Sequence, residues 1–388
     1  MANLLDKASI ILTPTGYSSG VIHNVKPSES PFGDMTFDRN SSSTRVNAQG
    51  LIETVAPDIP RIDYSNGSGA ILSELASTNQ VRYSEDFSNA LWTKSAINMT
   101  SSTKTNPKGV NQTVYNITGA PAPGDGLFAI FASTPTGQGT GVSIWIKRTS
   151  GAGSTGSVWI GSGNQTSGNG NQVAVGNEWQ RISYVAPQYG GNRIYIKPQY
   201  AHYFDIWGAQ GEYGLVGGGA GRVTSYIPTT STSVSRTADE YLNGGDVSLI
   251  NSPSGVLFVE RQCISSSTNE FILLTATGQD ETVSVGIYGN SAGWSSTRIK
   301  TSTSTLYKGF GGAKTNMDKL AVKWDGTSVK TFRNGALAQT GTLSGGFTAN
   351  QLTELHLSTG QGFYGELKQL AVFNEALTDA EIIAITTP

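Results

Sequence analysis

The carboxylates of this chain do not pair along any strand-like run. Hydrolysis of a glycosidic bond needs two carboxylates that flank it, commonly alternating on one strand so that both face a cleft. Glu366 stands alone in its run, and Asp280 and Glu281 are adjacent, so an extended backbone would point them to opposite faces. The sequence therefore predicts no catalytic residues and a protein that is not an enzyme. A glycoside hydrolase is the less favoured alternative, because its carboxylates would have to come from separate strands.

Other reactive groups are equally scattered. The three histidines, His23, His202 and His356, lie far apart in the chain, and no G-x-S-x-G motif accompanies them. The single cysteine, Cys263, sits in the strand-like run VLFVERQCI, where we expect a half-buried side chain. The glycine-rich run Gly214–Arg222 lacks the Lys-Ser/Thr ending of a phosphate-binding loop, so it reads as a flexible loop. This inventory supplies neither a nucleophilic site nor a zinc site.

Aromatic side chains give the strongest binding hypothesis. Three runs alternate aliphatic residues with an aromatic residue: Val142–Lys147, Ser157–Gly161 and Arg193–Lys197. The alternation predicts that Trp145, Trp159 and Tyr195 lie on the face away from the core, beside Lys147 and Arg193. Flat rings next to polar groups suit the apolar faces of sugar rings, so these residues are the predicted glycan site. The alternative is packing between subunits, which also favours Trp and Tyr.

The composition indicates the kind of scaffold that would carry such a site. The chain has 388 residues, 37% of them hydrophobic and only 14% charged, with 48 glycines. Such a chain suits many short strands joined by tight polar turns. A net charge of −2 gives no electrostatic footprint for nucleic acid, and no apolar run approaches the roughly 18–20 residues of a membrane span. We expect an all-β protein with no nucleic-acid partner and no membrane insertion.

The C-terminal third carries the clearest local structure. The strand-like start of Gly365–Ile385 is followed by a helix that Thr378 can cap, with Glu381 three residues later completing a capping box. Upstream, two strand-like runs, Lys319–Trp324 and Ser328–Arg333, are each followed by a tight-turn dipeptide, Asp-Gly and then Asn-Gly. These motifs resemble the laminin-G/concanavalin-A-like jelly roll. The resemblance implies such a domain over residues 238–388, with little helix elsewhere in the chain.

The middle of the chain resembles a second jelly roll. The phrases SEDFSNALWTKS from Ser84, NEWQRISYVAP and YFDIWGAQGEYG are similar to those of carbohydrate-binding modules, and they delimit a domain over 85–228. By that resemblance Ser84 begins an opening strand, and Trp179 is a core residue. Residues 229–237 read as a linker to the third region.

The same resemblance implies one structural calcium ion near the joined terminal strands, with Glu85, Asp86 and Asp205 as its neighbours. The alternative is that these are surface carboxylates paired with lysine or water. Asp239, Glu240 and Asp246 form a weaker candidate of the same kind. No other cofactor is expected.

Residues 1–84 do not read as a self-sufficient domain, because prolines interrupt them repeatedly. The segment Phe37–Tyr64 resembles an N-terminal block of surface fibre and appendage proteins of tailed phages. That resemblance implies a virion-anchoring and oligomerisation segment, which we expect to become ordered only against sister protomers or the particle. The alternative is a long lead-in that packs on the next domain. The first residues lack the features of a signal peptide, so synthesis in the host cytoplasm is expected.

Together these features predict an extended N-terminal segment followed by two antiparallel β-sandwich (jelly-roll) domains and a short C-terminal helix. The predicted function is structural: a head or tail fibre or appendage on the virion surface whose lectin-like domains attach to host-surface or environmental glycans. Its predicted partners are itself, as a homo-oligomer and more readily a trimer than a dimer, and other virion proteins contacted through residues 1–84. The alternative is a bacterial cell-surface or secreted carbohydrate-binding protein.

Overall fold

The computed structural model describes most of the chain. The residues it describes are 4–14, 16–27, 31–119, 122–133, 139–150, 156–163, 168–186, 191–199, 202–214, 221–264, 269–278, 280–357 and 362–388. Within them the chain forms two compact units. The terminal unit comprises Met1–Ser42, Val55–Leu75 and Thr237–Pro388, and the central unit comprises Ser43–Thr54 and Ala76–Arg236.

Strands dominate both units. The first strands are β1 (Ile10–Leu12), β2 (Tyr17–Ser18), β3 (Val21–Ile22), β4 (Met35–Asp38), β5 (Ser43–Val46), β6 (Ile52–Val55), β7 (Arg61–Asp63), β8 (Ala70–Ser73) and β9 (Ser77–Asn79). The next are β10 (Trp92–Lys94), β11 (Asn98–Thr105), β12 (Asn111–Thr118), β13 (Leu127–Ile130), β14 (Thr140–Ser150), β15 (Gly156–Gly161), β16 (Gly170–Val175), β17 (Gln180–Val185), β18 (Arg193–Pro198), β19 (Tyr203–Tyr213) and β20 (Val234–Arg236).

The remaining strands are β21 (Glu240–Leu242), β22 (Ser254–Cys263), β23 (Glu270–Ala276), β24 (Asp280–Gly289), β25 (Trp294–Thr301), β26 (Ser304–Ala313), β27 (Asp318–Asp325), β28 (Ser328–Arg333), β29 (Ala336–Thr342), β30 (Glu354–His356) and β31 (Gly365–Phe373). Short 3-10 turns occur at Leu4–Lys7 and Pro31–Gly33, and the α-helix α1 spans Asp379–Thr386. The predicted all-β fold with a short C-terminal helix is confirmed. No helix in the described part of the chain is long and apolar enough to cross a membrane.

The terminal unit is a sandwich of two large antiparallel sheets. One has eight strands in the order β29-β28-β27-β22-β31-β8-β7, with β1 also pairing with β31. The other has five strands in the order β26-β25-β24-β23-β30, and a smaller sheet of β2, β3, β4 and β21 completes the unit. Leu257, Leu320 and Leu370 from the first sheet and Ile272 and Ile287 from the second meet in one core. Because apolar residues alternate along the strands, the two sheets bury their inner faces against each other.

The predicted C-terminal elements are confirmed. The hydroxyl of Thr378 accepts the N–H of Glu381, and the Glu381 carboxylate accepts the N–H of Thr378 at 2.8 Å, which is a complete capping box. Asn334 and Gly335 both adopt positive φ at the turn between β28 and β29, as a two-residue hairpin turn requires. Ile382 of the helix is buried against the outer side of the eight-stranded sheet, although Ile383 stays partly exposed.

The structure corrects the account of the N-terminal segment. Ile10, Leu12, Met35, Phe37 and Ile71 are buried in the core of the terminal unit. Strand β1 pairs with Leu370–Val372 of β31, and β8 pairs with Gly365–Leu367 of the same strand. The expectation that this segment orders only against partners is therefore wrong, because its apolar residues cover an edge of β31 that would otherwise be open. The alternative, a lead-in packed on the next domain, is not found either, since the described parts of residues 1–42 and 55–75 belong to the same unit as the C-terminal strands.

The central unit is a second sandwich. Its two five-stranded sheets run β10-β13-β18-β15-β16 and β11-β12-β19-β14-β17, with β5 pairing with β6 and β9 with β20 as separate two-stranded ribbons. The predicted runs on β14, β15 and β18 are confirmed as strands. Residues 84–91 form turns instead of the expected opening strand, which begins only at Trp92. The predicted linker is not free either, since β20 pairs with β9 across Val234 and Asn79.

Candidate functional site

The five residues of the predicted glycan site do not share a face. The aliphatic residues beside them do point into the core, as the alternation predicted. However, Trp145 lies on β14 in one sheet, whereas Trp159 and Tyr195 lie on β15 and β18 in the opposite sheet. Alternation determines whether a residue faces the core, but it does not determine which sheet a strand joins. The predicted aromatic site is therefore split between two outer faces.

Trp159 and Tyr195 are also covered. Trp159 is 6% exposed and Tyr195 fully buried, with ring centroids 5.3 Å apart and planes at 79°. A side chain at Gly170 would overlap the Trp159 ring, which explains the glycine there. Burial raises the pKa of Tyr195 to about 12, and its hydroxyl donates to the carbonyl of Asp125. Arg193 lies over the ring of Phe128 instead of facing a ligand, with its guanidinium 5.3 Å from the ring centroid.

On the opposite sheet, Trp145 and Lys147 belong to a second aromatic cluster. Trp145 packs with Trp179 against the buried rings of Trp207 and Tyr226. The Lys147 ammonium lies 5.0 Å from the centroid of Trp179, at cation–π distance. Trp179 is thus a half-buried residue of the outer face, and the expectation that it belongs to the core of the sandwich is wrong.

The predicted calcium neighbours each have their own protein partners. Asp205 is 1% exposed and accepts Lys104 Nζ at 2.8 Å and Asn116 Nδ2 at 2.9 Å. In the terminal unit, the weaker candidates also have protein partners. Asp239 is buried in an ion pair with Arg39 at 3.1 Å, and Asp246 accepts the hydroxyl of Ser248 at 2.6 Å. Their companion Glu240 is exposed on β21. In the described part of the chain, no group of three or more His, Cys, Asp or Glu side chains converges as metal ligands. Asp205 is paired with a lysine, as the alternative states, but it is buried instead of lying at the surface.

Glu85 and Asp86 instead line an open groove of about 970 Å³ in the central unit. Three separate parts of the chain form it. The turn at 83–86 supplies Tyr83, Glu85 and Asp86. The β11–β12 hairpin supplies Thr103, Lys108, Asn111, Gln112, Thr113 and Tyr115, and the segment before β20 supplies Pro228, Thr229, Thr230 and Val234. The lining is mostly hydroxyl and amide groups with two aromatic rings, which is the composition of a site for a polar ligand with some apolar surface.

Tyr83 holds a strained backbone at this groove. Its φ is +53°, in the left-handed region that a non-glycine residue rarely adopts. Hydrogen bonds fix it on both sides: its N–H donates to the carbonyl of Thr230 at 2.7 Å, and its carbonyl accepts the indole N–H of Trp92 at 3.0 Å. Such strain costs of order 1–3 kcal/mol and concentrates at functional positions. The backbone of the half-buried Tyr83 is therefore held in a defined conformation at the groove.

The charged groups of the groove are held by neighbours. Glu85 Oε1 accepts Lys108 Nζ at 3.0 Å and the hydroxyl of Tyr226 at 3.1 Å. Asp86 Oδ1 accepts the hydroxyls of Ser88 at 2.5 Å and Tyr115 at 2.7 Å. The Ser88 hydrogen bond is the main reason that the pKa of Asp86 is lowered, so Asp86 stays ionised. With two carboxylates and one ammonium, the groove carries an excess of negative charge and disfavours an anionic ligand.

Sequence reasoning missed this site for a clear reason. The runs NMTSSTKT and NQTVYNIT on β11 and β12 are rich in Ser, Thr and Asn, and only Val114, Tyr115 and Ile117 in them are buried. The one usable signal was the turn sequence Asn106-Pro-Lys-Gly109 between two polar runs of equal length, which is typical of a hairpin. Nothing in the sequence shows that this hairpin meets the turn at 83–86.

Comparison with known proteins supports the fold of the terminal unit. Residues 250–383 match the family of concanavalin A-like lectins and glucanases. This stretch contains β22 to β31 and most of α1, and thus the whole five-stranded sheet and five strands of the eight-stranded sheet. No curated protein matches the chain.

Several solved structures are similar to parts of the chain. The CBM40 domain of the Ruminococcus gnavus IT-sialidase, bound to α2,3-sialyllactose, is 18% identical at a TM-score of 0.30, covering 35% of this chain and 83% of that chain. A native heptameric SAP-like pentraxin from Limulus polyphemus is 15% identical at a TM-score of 0.31, covering 36% and 71%.

Domain 4 of an extracellular arabinanase from Geobacillus stearothermophilus, in complex with arabinotriose, is 16% identical at a TM-score of 0.30, covering 43% and 82%. These likenesses carry no argument about ligands. Residues 250–383 are thus similar to the concanavalin A-like lectin/glucanase family, and their antiparallel strands belong to the jelly-roll fold of the terminal unit.

Proposed function

We propose that this protein binds saccharides without modifying them, and that the groove of the central unit is a binding site. The observation that carries the proposal is Tyr83, an aromatic ring held in a strained left-handed backbone among the hydroxyl and amide groups of the groove. A sugar ring offers an apolar face for stacking and equatorial hydroxyls for hydrogen bonds. Tyr83 supplies the first contact, and Asn111, Gln112 and Thr113 supply the second.

The charge of the groove narrows the ligand class. Glu85 and Asp86 outweigh Lys108, whose ammonium already pairs with Glu85 at 3.0 Å. An anionic saccharide would meet like charges there, which is destabilising. The proposed ligand is therefore a neutral saccharide. We also propose that the protein is not an enzyme, because no two carboxylates alternate along a strand-like run as the pair of a glycoside hydrolase commonly does.

The groove proposal is tested by titrating soluble neutral polysaccharides, such as xylan, mixed-linkage β-glucan and galactomannan, with polygalacturonate as the anionic comparison. Tyr83→Ala should weaken binding about tenfold or more, as loss of a central aromatic contact does. Tyr203→Ala is the matched control, because Tyr203 is 43% exposed and lies outside the groove. Unchanged affinity in both Tyr83→Ala and Asn111→Ala would overturn the assignment.

A second variant separates strain from binding. Tyr83→Gly removes the ring and also the strain of positive φ, whereas Tyr83→Ala removes only the ring. We expect the glycine variant to be more stable than the alanine variant by about 1 kcal/mol, yet equally deficient in binding. Thermal unfolding and the polysaccharide titration measure the two effects separately.

On the biological setting, we propose that the protein is displayed on the surface of a tailed-phage virion, on a head or tail fibre. The resemblance of Phe37–Tyr64 to N-terminal blocks of phage fibre proteins supports this, and the attachment would use a surface within residues 1–84. A bacterial cell-surface or secreted carbohydrate-binding protein would use the same groove. Mass spectrometry of purified particles distinguishes them, because only the first predicts the chain in washed virions.

We also propose a homo-oligomer, a trimer in preference to a dimer. Several identical weak saccharide sites on one assembly would gain avidity from their number alone. Light scattering tests this directly, since one chain has a mass of 40.8 kDa. A monomeric mass at micromolar concentration would contradict the proposal while leaving saccharide binding untouched.

A further inference from the structure

The β5–β6 hairpin packs on the aromatic cluster of the central unit. Its residue Ile52 is 4% exposed and is buried in one cluster with the rings of Trp207 and Tyr226. On the other strand of the hairpin, the hydroxyl of Thr44 donates to the carbonyl of Tyr226 at 2.6 Å. Both strands of the hairpin therefore contact this cluster, and burial of Ile52 stabilises the contact.

The two buried rings of the cluster contact the ion pair of the groove. The hydroxyl of Tyr226 donates to Glu85 Oε1 at 3.1 Å. The Lys108 ammonium lies 5.0 Å from the Trp207 centroid, at cation–π distance. Lys108 Nζ also donates to Glu85 Oε1 at 3.0 Å. Each member of the Glu85–Lys108 pair is thus in contact with one of the rings that Ile52 helps to bury.

The hairpin also contacts the turn that carries Lys108. The N–H of Ile52 donates to the carbonyl of Pro107 at 3.0 Å. A side chain at Gly109 would lie 2.7 Å from Leu51 Cδ1, so Leu51 packs closely on this glycine. Because Lys108 lies between these two contacts, the hairpin fixes the backbone from which the Lys108 side chain reaches the groove.

Glu85 is oriented by two donors on one of its oxygen atoms. The Tyr226 hydroxyl and the Lys108 ammonium both contact Oε1. Among the residues that the structure describes, no donor contacts Oε2. A carboxylate oxygen accepts hydroxyl donors, so Oε2 is available to a hydroxyl group of a ligand. The orientation of this carboxylate therefore depends on the ring and the turn that the hairpin holds.

We infer that Leu51 and Ile52 are positioning residues of the groove, an inference that rests on its proposed saccharide-binding function. They hold the turn and the two rings, and these in turn orient the Glu85–Lys108 pair toward the ligand. The lining of the groove is formed by other residues, so the hairpin acts on the ligand only through them. A groove whose polar groups are already held in place loses less conformational entropy on binding, which raises its affinity.

A purely structural role of Ile52 predicts a different result. If Ile52 only adds buried apolar surface, its loss destabilises the central unit as the loss of any core isoleucine does. The saccharide affinity of the folded protein would then stay unchanged. A positioning role predicts lower affinity in the folded protein and a loosened turn between β11 and β12, so the two roles are separable.

The test compares Ile52→Ala with Ile182→Ala in the full chain. Ile182 is 3% exposed and lies on β17 in the core of the same unit, outside the groove. Both variants should lower the midpoint of thermal unfolding, because both remove the same atoms from a buried site. At a temperature where both are folded, only Ile52→Ala should bind the neutral polysaccharides more weakly, by about fivefold. Ile52→Val should restore most of the affinity.

Leu51→Ala keeps the inference testable if Ile52→Ala does not fold. Leu51 is half-buried, and its truncation removes the contact with Gly109. In both hairpin variants, hydrogen exchange without ligand should become faster in peptides covering residues 103–113, and not in those of β15 and β18. In Ile182→Ala the increase should instead fall on β14 and β17, which pair through Ile144 and Ile182.

The route through Lys108 has its own test. Lys108→Met removes the ammonium but keeps an apolar side chain beside Trp207. If Ile52 acts through the Glu85–Lys108 pair, Ile52→Ala should weaken binding less in Lys108→Met protein than in the parent chain, because the effects of coupled residues are not additive. Equal losses of affinity in both backgrounds would overturn the assignment of Ile52 to this pair.

The outcomes distinguish this inference from the groove proposal. Parent affinity in both Ile52→Ala and Leu51→Ala overturns the inference and leaves the groove proposal standing, and so do equal losses of affinity in Ile52→Ala and Ile182→Ala. If the parent chain binds no saccharide, the groove proposal fails. Hydrogen exchange then decides the inference: faster exchange confined to residues 103–113 supports positioning of the turn, and unchanged exchange there overturns it.

Discussion

The two units hold their distant chain segments by different electrostatic means. In the terminal unit, Asp239 pairs with Arg39 at 3.1 Å and with Arg61, and Arg61 Nη1 pairs with Glu74 at 2.8 Å. All four side chains are at most 3% exposed. This network joins the N-terminal segment to the chain that leads into β21.

In the central unit, the carboxylate of Glu212 joins distant segments through hydrogen bonds from neutral groups. Glu212 is fully buried and accepts the hydroxyl of Ser77 at 2.5 Å, the N–H of Thr224 at 2.8 Å and the hydroxyl of Thr224 at 2.5 Å. The comparison indicates how strongly the stability of each unit depends on a single side chain of its network. Losing one ion of a buried network strands an opposite charge, whereas losing one hydroxyl leaves a carboxylate that still has other donors.

The largest expected effect is from Asp239→Ala. It leaves Arg39 and Arg61 buried beside each other with only Glu74 as counter-charge, so we expect a loss of about 3–5 kcal/mol in the terminal unit. Urea unfolding followed by hydrogen exchange on peptides of each unit measures it. Asp379→Asn is the control, because that carboxylate is 37% exposed and its pairs with Lys330 and Lys323 should contribute under about 1 kcal/mol. Equal losses in both variants would show that burial of the network does not matter.

A smaller loss is expected from Ser77→Ala in the central unit. One charge-assisted hydrogen bond to Glu212 disappears, for an expected loss of about 2 kcal/mol. Thr78→Ala, the next residue on the same strand, is the matched control, since its hydroxyl contacts Ser235 Oγ on the surface. A loss of stability from Ser77→Ala as large as that from Asp239→Ala would contradict the expected difference between the Glu212 hydrogen bonds and the Asp239 ion pairs.

An exposed carboxylate in the terminal unit sharpens the comparison further. Glu381 accepts Lys7 Nζ at 2.6 Å and the N–H of Thr378 at 2.8 Å, and its pKa falls to about 2, chiefly because of the Lys7 hydrogen bond. Thr378→Ala removes the cap of α1 and should cost about 1 kcal/mol, whereas Thr378→Ser should cost far less. Thermal unfolding tests both. If Thr378→Ala lost as much stability as Asp239→Ala, burial of the altered group would not explain the size of the loss.

Glu366 gives the smallest effect and the sharpest test of mechanism. This buried carboxylate of the terminal unit accepts hydrogen bonds from the neutral side chains of Ser65, Asn66 and Gln262, as Glu212 accepts neutral donors in the central unit. Burial is the main cause that raises its pKa. The native state therefore holds the proton more tightly than the unfolded chain. Its contribution to stability is fully present below the unfolded value near 4.5 and is lost as pH rises through the raised native value.

Glu366→Gln should remove this pH dependence. The amide oxygen can still accept from Asn66 and Gln262, and the amide nitrogen can donate to the Ser65 hydroxyl. We expect the variant to lose less stability than the parent chain between pH 4 and pH 7, measured by urea unfolding at each pH. The same slope in both proteins would contradict the assignment of the shift to Glu366.

The sequence by itself determined the elements whose causes are local. Thr378 and Glu381 lie three residues apart, so the capping box needs no other part of the chain. Asn334–Gly335 specifies its turn in the same way, and the alternation along β14, β15 and β18 correctly placed Ile144, Ile160 and Ile194 in the core. Each of these depends on neighbours within a few residues.

Only the tertiary structure decided which strands meet. The apolar residues of β1 and β8 look like isolated runs in a proline-interrupted segment. Their role is visible only in their pairing with the distant strand β31, where Ile10 lies opposite Val372 and Ile71 opposite Leu367. The same holds for Trp145 and Trp159, which share a pattern but lie in opposite sheets, and for the groove, whose lining comes from three separate segments. Periodicity specifies the face of a strand, whereas strand order depends on the total burial and pairing that the whole chain can achieve.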